Sequence, residues 1–297
     1  MTVGRFAPSP SGRMHLGNLF TALLAWLSVR SQNGKMLLRI EDLDPDRSKQ
    51  EYIDALRDDL TWLGLDWDEE MPLQSTRSER YADAFAQLPT YPCYCSRNEL
   101  HAASAPHGSD GRAIYAGTCR DLTDEERKAK TRPPAWRVRV PDAEISFVDG
   151  VFGEQRENLA KECGDFIVRR SDGVYAYQLA VVCDDADGGV TEVVRGCDLL
   201  DSTPRQIWLY HALGLPVPQF YHVPLMIAPD GKRLSKREKS LDMAHLREQY
   251  TPEELIGRLA HLAKLTDIDA PVRAAELIEV FSWDRIGCSP VVVREKE

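Results

Sequence analysis

Val3-Gly4-Arg5-Phe6-Ala7-Pro8-Ser9-Pro10-Ser11-Gly12-Arg13-Met14-His15-Leu16-Gly17-Asn18 is the stretch from which the fold is read. Val3 to Phe6 is short and apolar, as a buried strand is. Pro8 and Pro10 stop it and stiffen the turn that follows, and Gly12 lets the backbone reverse. From Leu16 the apolar residues Leu16, Leu19, Phe20, Leu23, Leu24 and Leu27 recur with helical spacing. A strand therefore runs through a rigid proline-rich loop into a helix, with His15 and Gly17 at the helix N-terminus. The unpaired N–H groups and partial positive charge there suit a phosphate. Gly17, lacking a side chain, leaves room for a nucleotide base against the backbone.

A second basic element lies far downstream. Val223-Pro224-Leu225-Met226-Ile227-Ala228 reads as a strand and Pro229-Asp230 as a turn. Gly231-Lys232-Arg233-Leu234-Ser235-Lys236-Arg237 follows as a basic loop around a serine. A lysine loop facing a histidine-bearing helix N-terminus can clamp a triphosphate.

Between and beyond these elements the order is strand, helix, strand, helix. Lys35 to Ile40 reads as a strand, and Ser48-Lys49-Gln50-Glu51 as a capping box. The helix it opens carries Tyr52, Ile53, Leu56, Leu60 and Leu63 on one face, and a shorter helix runs from Ser78 to Leu88. This alternation predicts an α/β fold, a Rossmann-like parallel sheet with crossover helices. Ligands in such sheets bind at the carboxyl ends of the strands, where Arg5 and Glu41 sit. Composition changes at Tyr91 toward Cys, Gly, Pro and charge, so residues 1–90 read as the first half of the Rossmann-like domain and 91–174 as an inserted small subdomain. Its strands are Ala135 to Val140, Ile145 to Val151 and Asp165 to Arg170, with Tyr175 to Val182 as a further strand. Residues 175–240 form the second half, where a helix capped at Asp201-Ser202-Thr203-Pro204 runs through His211. Residues 241–297 read as helical over Ser240 to Glu248, Pro252 to Leu265 and Ala274 to Phe281.

The chain has 297 residues, 43% of them hydrophobic, a composition suited to a packed core. No apolar run approaches the ~20 residues of a membrane span. The N-terminus lacks the pattern of a secretion signal, which points to the cytoplasm. The net charge of −10 argues against nucleic acid as a partner only weakly, because affinity depends on locally placed cations. Arg120, Arg127, Lys128, Lys130, Arg132, Arg137 and Arg139 make either a basic stripe or a solvated face of mixed charge.

Seven cysteines, irregularly spaced, read as metal ligands or buried thiols rather than disulfides. Cys93-Tyr94-Cys95, with Cys119 downstream, offers three thiolates, and one more donor would complete a tetrahedral zinc site. On chemistry alone His101 or His107 is a better fourth ligand than a phenol. Cys163, Cys183, Cys197 and Cys288 are isolated and read as core thiols.

The paired elements at His15 and Lys236 resemble the two signatures of class I aminoacyl-tRNA synthetases, normally His-Ile-Gly-His and Lys-Met-Ser-Lys-Ser. Arg5 to Pro10, Arg39 to Asp42, Tyr177 to Val182, Val194 to Gly196 and Asp198 to Gln206 extend the resemblance over residues 3 to 240. The likeness is to the glutamyl branch and its shortened, glutamyl-queuosine form. It implies ATP with Mg2+ and L-glutamate as substrates, activation to glutamyl-adenylate, and transfer to queuosine in the anticodon loop of tRNA(Asp). It also implies a monomer.

In that family His15 and Lys236 would be catalytic, and Gly17, Asn18, Arg233 and Ser235 would join them in binding ATP. Glu41 would receive the substrate ammonium. Arg5, Arg195 and Tyr177 would take the side-chain carboxylate, and Phe6, Ala7, Pro8 and Ser9 would line the pocket. Tyr115-Ala116-Gly117-Thr118-Cys119 matches the Tyr-x-x-x-Cys half of the branch's structural Zn2+ site. The resemblance thus favours Tyr115 with Cys93, Cys95 and Cys119, with His107 as the alternative.

The sequence departs from the family pattern at Asn18, where histidine is usual, and at Arg233, where lysine is usual. Asp184-Asp185-Ala186 lacks a histidine often found there, and Glu192 replaces the histidine of full-length glutamyl enzymes. Only about sixty residues follow Lys236, too few for an anticodon-reading region. Two other readings remain: a minimal glutamyl or glutaminyl synthetase charging the tRNA 3′ end, and a catalytically silent RNA-binding module.

Overall fold

The computed structural model describes residues 1–96, 114–231 and 242–293. Strand β1 (Val3–Phe6) leads through the proline loop into helix α1 (Leu16–Ser31). Strand β2 (Lys35–Leu38) returns parallel to β1, in register Val3 to Lys35. Helix α2 (Gln50–Trp62) crosses to the short strand β3 (Glu69–Glu70), parallel to β2. Helix α3 (Ser78–Ala86) then leaves the sheet.

Strand β4 (Thr90–Cys93) enters a separate antiparallel sheet, followed by α4 (Asp124–Lys128) and β5 (Ala135–Val138). A hairpin of β6 (Glu144–Asp149) and β7 (Gly153–Asn158) comes next, then β8 (Ile167–Arg169), which completes the order β4-β5-β8. The chain returns through α5 (Tyr177–Asp187), β9 (Glu192–Gly196), α6 (Thr203–Ala212) and β10 (Gln219–Val223), with β10 parallel to β9. Short strands β11 (Met226–Ile227) and β12 (Val291–Val292) pair in parallel, flanking α7 (Met243–Gln249) and α8 (Pro252–Leu262).

Thr191 N–H donates to the Val3 carbonyl at 2.9 Å, and Val3 N–H donates to Thr191 Oγ1 at 2.9 Å. The first two strands and the later pair therefore meet along β1 and β9. The chain leaves β1 toward β2 on one side and has β9 on the other. A crevice opens at such a switch point beyond the strand ends. Helix α1 covers this junction, and from Leu16 to Val29 it buries most of its surface in the main apolar cluster with Met36, Leu38 and Val194.

Several local expectations change in the folded chain. Tyr177 begins a helix, not a strand: Leu179, Ala180, Val181, Val182 and Cys183 are buried all round, so the apolar run carries no period. Lys49 caps α2 without a side-chain hydrogen bond, so the box at Ser48 does not form. Pro224 separates β10 from β11. The predicted helix from Ala274 reduces to a 3-10 turn, Ala274–Leu277. Cys288 is exposed, and Cys163 and Cys197 are half-buried, leaving Cys183 alone of the four as a buried core thiol.

The inserted segment is pinned by one carboxylate. Buried Asp165 accepts from Tyr91 Oη at 2.5 Å, from Arg120 Nε and Nη2 at 2.7 Å each, and from Val140 N–H at 2.9 Å. Burial raises its pKa, but the Arg120, Tyr91 and Val140 hydrogen bonds outweigh that and hold it below the ordinary value. A folded-state pKa below the unfolded one adds stability above the unfolded value, lost as pH falls through the folded one. Asp165→Ala is expected to lower stability by about 2–3 kcal/mol near neutral pH. The gap from wild type should shrink on acidification below about pH 4. Urea titrations of both proteins across pH check this; coincident midpoints at pH 7 would contradict it.

Candidate active site

The proline loop delivers His15 as the N-cap of α1. Its Nδ1 accepts from Gly17 N–H at 3.2 Å, and Asn18 Oδ1 accepts from His15 N–H at 3.1 Å, closing a reciprocal capping box. Accepting at Nδ1 leaves the proton of the neutral ring on Nε2. A Cβ at Gly17 would lie 3.2 Å from His15 Cε1, so glycine preserves the ring's position. Beyond the helix start, Met243 N–H donates to the Met14 carbonyl at 2.9 Å, and His15 bridges to Asp242. Arg233, Ser235 and Lys236, like His101 and His107, lie outside the described residues.

A cleft of about 510 Å3 opens at the β1–β9 junction. It gathers all the other expected ATP- and glutamate-site residues: Arg5, Phe6, Ala7, Pro8, Ser9, His15, Gly17, Asn18, Glu41, Tyr177 and Arg195. Beneath it lies a network of buried charge. Asp185 accepts from Arg5 Nε at 3.2 Å and from Arg39, whose Nη2 reaches Glu41 Oε1 at 3.0 Å. Arg5 Nη1 donates to the Val194 carbonyl at 3.2 Å, leaving Nη2 without a hydrogen-bond partner among the described residues.

Arg195 is bound differently. Its guanidinium donates to His222 Nε2 at 3.0 Å, Gln206 Oε1 at 2.7 Å, Thr203 Oγ1 at 2.9 Å and the Leu199 carbonyl at 3.4 Å. Every one of these acceptors is uncharged, and no carboxylate among the described residues forms an ion pair with it. Burial pulls its pKa below the ordinary value, and the neighbouring Arg5 pulls in the same direction. Such a cation, aimed at a cleft, favours an anion. Glu41 is raised by burial, against the opposing pull of Arg39, and Tyr177 is raised by burial as well.

The sulfur atoms of Cys93, Cys95 and Cys119 lie within 4.8 Å of one another, Cys95 and Cys119 at 3.6 Å. Tyr115 Oη is 3.5 Å from Cys93 Sγ. A zinc tetrahedron has sulfur–sulfur edges of about 3.8 Å and sulfur–oxygen edges of about 3.5 Å, so the three thiols are close enough together to hold the ion, and the Cys95–Cys119 and Cys93–Tyr115 distances match two such edges. Burial raises both Tyr115 and Cys95, the latter to about 12. A divalent cation would reverse that cost by binding the anions. Arg137 stands 3.8 Å over the Tyr115 ring and donates to Cys93 Sγ at 3.3 Å. It is thus withdrawn from the basic stripe, as is Arg120, held by buried Asp165, while Arg127 and Arg139 form exposed ion pairs with Asp124 and Asp121.

Residues 1–296 match the model of the class I tRNA synthetase catalytic domain, E and Q type. The chain belongs to the class I glutamyl and glutaminyl tRNA synthetases. It is 53% identical over 310 residues to the glutamyl-Q tRNA(Asp) synthetase of Symbiobacterium thermophilum, covering 98% of this chain and 95% of that one. It is 50% identical over 292 residues to the protein of that name from Deinococcus radiodurans, covering 95% and 97%. The solved glutamate-tRNA synthetase of Elizabethkingia anophelis superposes with a TM-score of 0.84 at 28% identity, covering 99% of this chain and 68% of that one. The chain is therefore a ligase of the glutamyl-Q tRNA(Asp) synthetase branch, about two thirds the length of that full glutamate enzyme.

The departures from the synthetase signatures acquire local explanations. Asn18 spends its carbonyl on the helix cap of His15. Glu192 is buried against Ser28 and accepts from Gln32 Nε2 at 3.1 Å, so it joins β9 to α1 behind the cleft. The acidic pair before Ala186 is structural: Asp185 holds Arg5 and Arg39, while Asp184 accepts from Gln74 Nε2 at 2.6 Å and Tyr81 Oη at 3.0 Å. Thr203, Gln206 and His222 were not singled out by sequence. Nothing in their immediate neighbours marks them, because the helix with Thr203 and Gln206 carries other polar residues and the three meet only in the folded chain.

Cys119→Ala is expected to lower zinc in the purified synthetase to well below one equivalent and to reduce its melting temperature. Metal analysis by mass spectrometry checks this; full zinc content would remove Cys119 from the ligand set.

Proposed function

We propose that the chain activates L-glutamate with ATP and transfers it to queuosine at the wobble position of tRNA(Asp). The observation that carries this reading is Arg195: a buried guanidinium, bordering a cleft, held only by neutral acceptors. The side-chain carboxylate of glutamate would answer Arg195 and the remaining donor of Arg5, with the Tyr177 hydroxyl beside them. Glu41 would receive the ammonium. The cleft walls from Phe6 to Ser9 would confine the carbon chain.

The α-carboxylate would then attack the α-phosphate of ATP, expelling pyrophosphate and leaving glutamyl-adenylate. The chain contributes chiefly position and charge to this step. Gly17 and Asn18 at the start of α1 form the nucleotide side of the cleft, and Arg233 and Ser235 belong to the same ATP site by resemblance. His15 from this turn and Lys236 from the basic loop would stabilise charge growing on the phosphate oxygens. Mg2+ would accompany ATP and screen the phosphates. Zn2+ on Cys93, Cys95, Tyr115 and Cys119 would be structural, fixing the inserted segment. The names of the relatives support queuosine-bearing tRNA(Asp) as the acceptor. The same reading divides the chain near residues 90, 174 and 240 and makes it a cytoplasmic monomer. No helix among the described residues is long and apolar enough to cross a membrane.

The deciding experiment supplies labelled glutamate, ATP and purified tRNA(Asp) with or without queuosine, then maps the label. Label on the modified base is expected. Label on the terminal adenosine would indicate a minimal glutamyl synthetase, and no ATP–pyrophosphate exchange under any condition would indicate a silent module. Lys236→Ala is expected to slow exchange by at least about a hundredfold while changing glutamate affinity little. Equal losses in both would contradict a transition-state role.

Glu41 must be ionised to hold an ammonium, and burial raises its pKa. Glutamate affinity is therefore expected to fall on acidification at a pH above the ordinary glutamate value of about 4.3. Calorimetric titrations across pH check this, and a dissociation constant flat down to that value would count against it.

A further inference from the structure

We propose that Asp149 and His222 form a relay that positions Arg195 for an acidic substrate while keeping any fixed negative charge out of contact with it. This rests on the glutamate pocket proposed above and assigns two further positioning residues to it. Both side chains are fully buried, and His222 Nδ1 lies 2.6 Å from Asp149 Oδ2. Arg195 Nε, which can only donate, lies 3.0 Å from His222 Nε2. Nε2 must therefore be unprotonated, and the ring proton must sit on Nδ1, facing Asp149. The neighbours on the two sides thus demand the same neutral tautomer. Burial lowers the His222 pKa, in keeping with a neutral ring.

The chemical logic lies in what touches the guanidinium. An aspartate in direct contact would neutralise Arg195 and compete with the substrate carboxylate. An imidazole placed between them passes on the orientation without the charge. Arg5, paired with Asp185, shows the opposite arrangement in the same cleft.

The relay begins in the inserted segment. Asp149 ends β6, and its Oδ1 accepts from Val151 N–H at 3.0 Å and Phe152 N–H at 2.9 Å. Gly150 N–H donates to the Phe220 carbonyl at 2.9 Å, and a Cβ at Gly150 would fall 2.0 Å from Tyr221 Cε1. The hairpin turn is thus pressed onto β10 directly beside His222. A change in the hairpin would reach the substrate pocket through two hydrogen bonds.

The test measures glutamate and ATP affinities by calorimetry on the full chain for His222→Leu, His222→Gln and Arg195→Ala, with melting temperatures alongside. Gln can accept from Arg195 with its carbonyl and donate to Asp149 with its amide; Leu can do neither. His222→Leu is expected to weaken glutamate binding at least about tenfold, the loss of one charge-assisted hydrogen bond. ATP affinity should stay within about twofold, and His222→Gln should recover glutamate binding to within about threefold of wild type. If His222→Leu spares glutamate binding while Arg195→Ala destroys it, the relay is wrong and the pocket stands. If Arg195→Ala itself has no effect, the pocket reading fails and the relay with it. Parallel loss of ATP affinity, or a Gln variant as weak as Leu, would reduce His222 to a packing residue and overturn the proposal.

Discussion

A guanidinium taken out of water must have its charge answered, and this fold buries three beneath one cleft. Arg39 is answered by Asp185 and Glu41, and Arg5 by Asp185. Arg195 is answered only by dipoles. That inequality organises the centre of the molecule. The paired arginines hold the ends of β1 and β2 to α5, and the third holds its charge toward the cleft. Removing an acid from the network would strand buried cations, a larger loss than the pair itself contributes. The apolar packing of α1 and the strand junction supply the dry surroundings in which these charges matter.

The part of the cleft at the start of α1 depends on shorter-range forces. A proline-rich turn, a reciprocal helix cap and a glycine orient the His15 ring, while the backbone of Met14 and His15 is joined to Met243 and Asp242. The buried charge beneath the cleft is assembled from residues almost two hundred positions apart. The inserted segment adds its own supports, a carboxylate hub at Asp165 and a cluster of three cysteines close enough together to hold a metal ion.

This division explains what could be read from the chain alone. The turn from β1 into α1 was legible because its determinants are neighbours in sequence. The pairing of Arg5 with Asp185 was not, because nothing in either neighbourhood announces the other. The apolar run Tyr175 to Val182 reads as a strand but folds from Tyr177 on as the start of α5, because burial on every side erases the period that separates strand from helix. Strand β7, Gly-Glu-Gln-Arg-Glu-Asn, has no apolar alternation at all; it is a strand because β6 lies beside it in full register. Residue type alone assigns Cys288 to the core, yet its surroundings leave it in water.

The return of the chain at Asp242 has a mechanical corollary. That residue and Met243 are stitched to the backbone of Met14 and His15. These contacts tie the start of α7 to the turn that presents the ring, so displacing that helix would disturb the N-cap of α1 directly.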